Sequence, residues 1–161
     1  QLISKVCHNS SYEITSGLVV ANDADPKRLA TLRQRYISCR YPNLIYTCAT
    51  AEDLHSLLKP YISFDRIICD VPCTGDGTFR KSPHLWRLFR PRFAVEIHPL
   101  QLDIVRRSLD LMKTAHSNGK SCRLIYSTCS LNPIEDEAVV SALLIESWKN
   151  EVNLQLVDPL L

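Results

Sequence analysis

Short aliphatic and β-branched runs alternate along this chain with longer segments of helical period, the pattern of a parallel sheet covered by helices. The runs are Leu18 to Asn22, Leu44 to Cys48, Phe64 to Cys69 and Arg123 to Ser127, with a last strand expected over Asn153 to Val157. Helix signals lie between them. Asp25-Pro26 sets a cap residue before a proline at the first helical position, with Leu29, Leu32 and Tyr36 as the buried stripe. A second helix is expected around Glu52 to Leu58. A long helix runs from about Phe93 to His116, with Val95, Leu102, Val105, Leu109 and Met112 on one face. Pro99 is expected to break or kink its early part, and Asn118-Gly119 to stop it. The last helix has Asn132 as cap, Pro133 in first position and Glu135 completing a capping box, with Ile134, Ala138, Ala142 and Ile145 on its apolar face. These elements define an α/β doubly wound fold.

With 161 residues, 45% of them hydrophobic, the chain can bury one core, so a single domain over 1–161 is expected. It opens at Gln1, without a methionine, in a segment that reads as the middle of a helix (Gln1 to Val6), so the domain is expected to be partial. A net charge of +2 does not by itself advertise nucleic-acid binding, and any basic surface must be local. The seven cysteines, at 7, 39, 48, 69, 73, 122 and 129, form no C-x-x-C pair. No metal site is expected, and reduced thiols fit an intracellular protein. No apolar stretch of about 18 residues marks a membrane span, and no signal peptide is recognisable.

In an open α/β sheet, ligands gather beyond the carboxyl ends of the strands. Three such ends carry reactive groups: Asp23, the stretch Asp70 to Cys73, and the stretch Thr128 to Ser130. A carboxylate placed like Asp23 can accept hydrogen bonds from ribose hydroxyls; equally, Asp23 or Asp25 can serve only as a helix cap. The thiols of Cys73 and Cys129 say more, because thiolate adds reversibly to electron-poor rings and a pair suggests attack and release. Cys129 precedes the helix expected near Pro133, whose amino-terminal dipole favours an anion. Cys7, Cys39, Cys48, Cys69 and Cys122 are expected to be small buried hydrophobes. From Phe79 to Arg92 the chain holds Arg80, Lys81, Arg87, Arg90 and Arg92 with Phe79, Trp86 and Phe89, and no acid. Cations can meet phosphates while aromatic rings stack on bases, and beside two candidate thiols that nucleic-acid role outweighs a solvated loop.

The segments DVPCTGDGTFRK and YSTCSLNPIEDEAVV resemble the signature motifs of the RsmB/Sun-type RNA cytosine-5 methyltransferases, the second most like the eukaryotic tRNA-modifying branch. The resemblance spans most of the chain, from the ANDAD strand end to the EDEAVV helix. It implies a Rossmann-like class I S-adenosylmethionine-dependent methyltransferase fold, here without the first strand, its glycine-rich loop and the last strands. It also implies the roles. Cys129 attacks carbon 6 of cytosine so that carbon 5 takes the methyl group, giving 5-methylcytosine, and Cys73 assists release. Asp70 lies near the cofactor and the base, and Asp23 holds the ribose of S-adenosylmethionine. The target base must be unstacked to be reached.

Two departures bear on function. In the family, the glycine-rich loop and a lysine that also serves the active site lie just upstream of a segment resembling Gln1 to Val6, so this chain alone is expected to bind cofactor weakly and to be inactive. Thr50 stands where relatives carry an acid after the second strand. DNA cytosine-5 methyltransferases use the proline-cysteine thiol as nucleophile and need no second one. Amino-group methyltransferases carry D/N-P-P-Y/F/W where this chain has Asp70-Val71-Pro72-Cys73, and use no thiol. The rival from another class is a non-catalytic RNA-binding scaffold that keeps the fold. The expected partner is RNA, in the nucleus or the cytoplasm.

Overall fold

The computed structural model describes residues 17–37, 42–150 and 152–158. The helix expected over Gln1 to Val6 lies outside them, as do Cys7 and Cys39. Two compact units divide the chain, Gln1–Leu57 and Leu58–Leu161.

In the first unit, β1 (Val19–Asn22) runs parallel to β2 (Leu44–Thr47), with Val19 opposite Leu44 and Asn22 opposite Thr47. Between them lies α1 (Pro26–Tyr36), which begins as its sequence requires. Asp25 caps it, Oδ1 accepting the amides of Lys27 at 2.7 Å and Arg28 at 3.4 Å, and Pro26 takes the position where a missing N–H costs nothing. Leu29, Leu32 and Tyr36 are its half-covered residues, and none is fully buried. Thr50 caps α2 (Ala51–Leu58): its Oγ1 accepts the Asp53 amide at 3.1 Å and donates to the Asp53 carboxylate at 2.8 Å.

In the second unit, β3 (Arg66–Asp70) pairs in parallel with β4 (Arg123–Ser127), Arg66 opposite Arg123 and Asp70 opposite Ser127. Two short helices and turns follow β3: a 3-10 turn at Asp76–Thr78, then α3 (Leu85–Leu88). The crossover is completed by α4 (Arg92–Ser117), 26 residues long, and α5 (Glu137–Lys149) follows β4. Leu102 and Val105 of α4 meet Val139 and Leu143 of α5 in the core, with Leu124 and Tyr126 of β4 packed on them. Burying side chains of that size contributes roughly 1.5–3 kcal/mol each. α4 ends in a Schellman motif, the Gly119 amide bonding the His116 carbonyl at 2.9 Å and the Lys120 amide that of Ala115 at 3.1 Å. Gly119 takes the left-handed backbone this closure needs, at φ 77°.

Several expectations need correction. Pro99 does not interrupt α4. The carbonyl that its missing N–H leaves without a donor belongs to Val95, which is 56% exposed where water can substitute; Val95 is thus not part of the buried face. The buried face of α5 is Val139, Leu143 and Ser147, one step round from the expected Ala138 and Ala142, while Ile134 and Ile145 are exposed. Regular helix starts at Glu137 and not at Pro133, because residues 133–136 form turns. Residues 152–158 form no strand: the alternation is present but no neighbouring strand pairs with it. Cys69 is buried and Cys122 half-buried, but Cys48 is exposed.

Candidate active site

Parallel pairing decides which groups meet. Because Asp70 lies opposite Ser127, the loops leaving β3 and β4 depart from the same edge, joined at once by the Val71 amide donating to the Ser127 carbonyl at 3.1 Å. Cys73 is three residues beyond one strand end and Cys129 two beyond the other. Their sulfurs lie 3.1 Å apart, either thiol able to donate, and the Cys129 amide donates to the Cys73 sulfur at 3.3 Å. The two residues singled out from sequence therefore form one site. Cys129 is exposed and Cys73 half-buried. Burial, and then the hydrogen bond with Cys129, push the Cys73 thiol up to about 11.

Glycines bring the loops this close. The Gly77 amide donates to the Cys129 carbonyl at 3.1 Å, and a Cβ at Gly77 would lie 2.7 Å from that oxygen, inside any tolerable contact. Gly75 turns the chain with φ 71°, a left-handed value that other residues adopt at a cost. Asp76 reaches across as well, its Oδ1 accepting the amides of Gly77 at 2.9 Å and Leu131 at 2.7 Å.

Beneath the thiols lies Glu135, completely buried, which the sequence had marked only as a capping residue. It closes no box on Asn132, whose amide donates to Ser130 Oγ at 3.0 Å. Instead its carboxylate accepts from the Thr74 amide at 2.9 Å, the Thr74 hydroxyl at 2.5 Å, the Ser130 hydroxyl at 2.7 Å and the Gln101 amide group at 3.0 Å. The available signal was an acid at the head of the i, i+4 series Glu135, Val139, Leu143, Ser147, whose other members are buried.

The strand-end carboxylates differ. Asp23, at the end of β1, accepts the Asp25 amide on Oδ1 at 2.9 Å and pairs Oδ2 with Arg28 at 2.9 Å, so capping falls to Asp25. Each Asp23 oxygen keeps a lone pair for a further donor. Asp70 is exposed and, among the described residues, its carboxylate has no partner. Each of these carboxylates offers only acceptors. In the basic segment, Phe79 packs against Trp86 in a tilted pair with centroids 4.6 Å apart and meets Phe89 edge-on at 5.4 Å. Trp86 is still 67% exposed, Arg80, Lys81, Arg87 and Arg90 are exposed too, and Arg92 pairs with Glu96. Among the described residues no group of three His, Cys, Asp or Glu side chains could hold a metal, and no helix is long and apolar enough to cross a membrane.

A crystal structure of a methyltransferase homolog protein from Pyrococcus horikoshii superposes with a TM-score of 0.62 at 28% identity, over 80% of this chain and 37% of that one. The fold is the Rossmann-like one of S-adenosylmethionine-dependent methyltransferases. Residues 4–158 match the profile of the family described as 16S rRNA methyltransferase RsmB/F, and the chain belongs to that family. It is 41% identical to the multisite-specific tRNA:(cytosine-C(5))-methyltransferase trm4b of Schizosaccharomyces pombe, over 88% of this chain and 22% of the relative. It is likewise 41% identical to the multisite-specific tRNA:(cytosine-C(5))-methyltransferase of Saccharomyces cerevisiae, over 89% of this chain and 21% of that protein. The chain thus spans about a fifth of the length of these curated relatives.

Proposed function

We propose that this chain is part of the catalytic domain of an RNA cytosine-5 methyltransferase acting on tRNA, with Cys129 as nucleophile and Cys73 as the releasing group. The observation that carries this is the 3.1 Å approach of two strand-end thiols in unequal surroundings. With its thiol pushed up to about 11, Cys73 keeps its proton near neutral pH and can donate it toward the neighbouring sulfur. Exposed Cys129 is then the sulfur that a substrate can reach and that would attack. Cys129 adds to carbon 6 of an unstacked cytosine, forming the S–C6 bond and moving electron density to carbon 5. S-adenosylmethionine, when bound, supplies an electrophilic methyl group to that carbon. Loss of the carbon 5 proton then expels the Cys129 sulfur and restores the ring. Cys73, beside the departing sulfur, would assist this release once its own proton has passed to solvent, its thiolate then taking the carbon 5 proton.

Asp23 would accept the cofactor's ribose hydroxyls, and Asp70 would face the cofactor and the polar edge of the base. Exposed Trp86 and the cations from Arg80 to Arg90 would stack on bases and meet phosphates of the same RNA. The test is methyl transfer by the full-length protein to unmodified tRNA transcripts, read as 5-methylcytosine by mass spectrometry of the digested RNA. Label on cytosine carbon 5 supports the assignment. Label elsewhere, or RNA binding without transfer, contradicts it, the latter in favour of a scaffold.

A further inference from the structure

Glu135 has no part in the steps above, yet both thiol loops hang from it. Thr74 directly follows Cys73, and Ser130 directly follows Cys129. Among the described residues, four donors from Thr74, Ser130 and Gln101 converge on its two oxygens, saturating a group that offers about four lone pairs. Gln101, itself fully buried, also donates to the carbonyl of Pro72, just before Cys73, at 2.9 Å. Glu135 is in turn fixed to β4, its carbonyl accepting the Tyr126 hydroxyl at 2.5 Å. An apolar side chain would continue the Val139 and Leu143 face without the cost of burying a carboxylate. What an apolar residue would not do is hold two loops 56 positions apart in sequence at one point.

We propose that Glu135 is the positioning residue of the thiol pair: by binding Thr74 and Ser130 with one carboxylate, it fixes Cys73 and Cys129 at the separation that attack and release require. The proposal rests on the function argued above. Glu135→Gln keeps the shape but turns one acceptor oxygen into an NH2 group, which meets donors where an acceptor is needed. In the full-length protein we expect its kcat to fall about 10- to 100-fold with little change in KM for RNA, since misplacing reacting groups by about 1 Å costs on that order. A second measurement needs no activity. Diamide takes two hydrogens from paired thiols to give a disulfide, and peptide mapping times formation of the Cys73–Cys129 bond. That rate should fall several-fold in Glu135→Gln and be partly restored in Glu135→Asp. Thr74→Val, which removes one donor at constant shape, should shift kcat and crosslinking the same way by less, and it decides the matter if Glu135→Gln does not fold. Wild-type crosslinking rates in the folded variants would overturn the proposal. Slowed crosslinking in a protein that methylates no cytosine would support positioning while sinking the function.

Discussion

At the scale of single residues, two chemically identical side chains, Cys73 and Cys129, sit side by side in different surroundings. Cys73 has a folded-state thiol value of about 11 against an ordinary value near 9, with burial as the first cause. The folded state therefore favours the neutral thiol. The stability this contributes is complete below pH 9 and is lost as pH rises toward 11. Melting temperatures followed from pH 8 to 11 should accordingly fall more steeply in the natural protein than in Cys73→Ala; parallel curves would contradict the assignment. Both cysteines were legible in the sequence because each follows a strand end, which is a local property. Glu135 was not, since of the residues that hold its carboxylate only Ser130 is near in sequence, while Thr74 and Gln101 lie 61 and 34 positions away and only the fold brings them near. Its local context, Asn132-Pro133-Ile134-Glu135, spelled a capping box that the turns at 133–136 do not make.

At the scale of elements, the sequence was most informative where local chemistry decides the outcome. Arg123–Ser127 is a strand over the expected residues, Asp25 and Pro26 start α1, and Asn118-Gly119 ends α4. Expectation failed where a distant surface decides. The buried face of α5 is set by the core it meets, and the apolar alternation at 153–157 makes no strand without a partner. Pro99 is tolerated because its cost falls on an exposed turn. For α1, which buries no residue fully, caps weigh more than packing. Replacing Asp25 by Ala should lower stability by about 1 kcal/mol in urea unfolding. No measurable change would mean that tertiary contacts, rather than the cap, hold this helix.

At the scale of the whole molecule, a net charge of +2 concealed a basic and aromatic stretch at 79–92 that bears a tryptophan 67% exposed. Family and fold could be read from two motifs because these are the two loops that the parallel register of β3 and β4 brings to one edge. The direction of the chemistry between their thiols is the central claim. It is tested most directly by incubating the full-length protein with S-adenosylmethionine and tRNA and looking for a protein–RNA adduct that survives denaturation. Cys73→Ala should accumulate the adduct, because attack proceeds and release stalls, and Cys129→Ala should form none. An adduct that persists without Cys129, or disappears with loss of Cys73, would contradict the account.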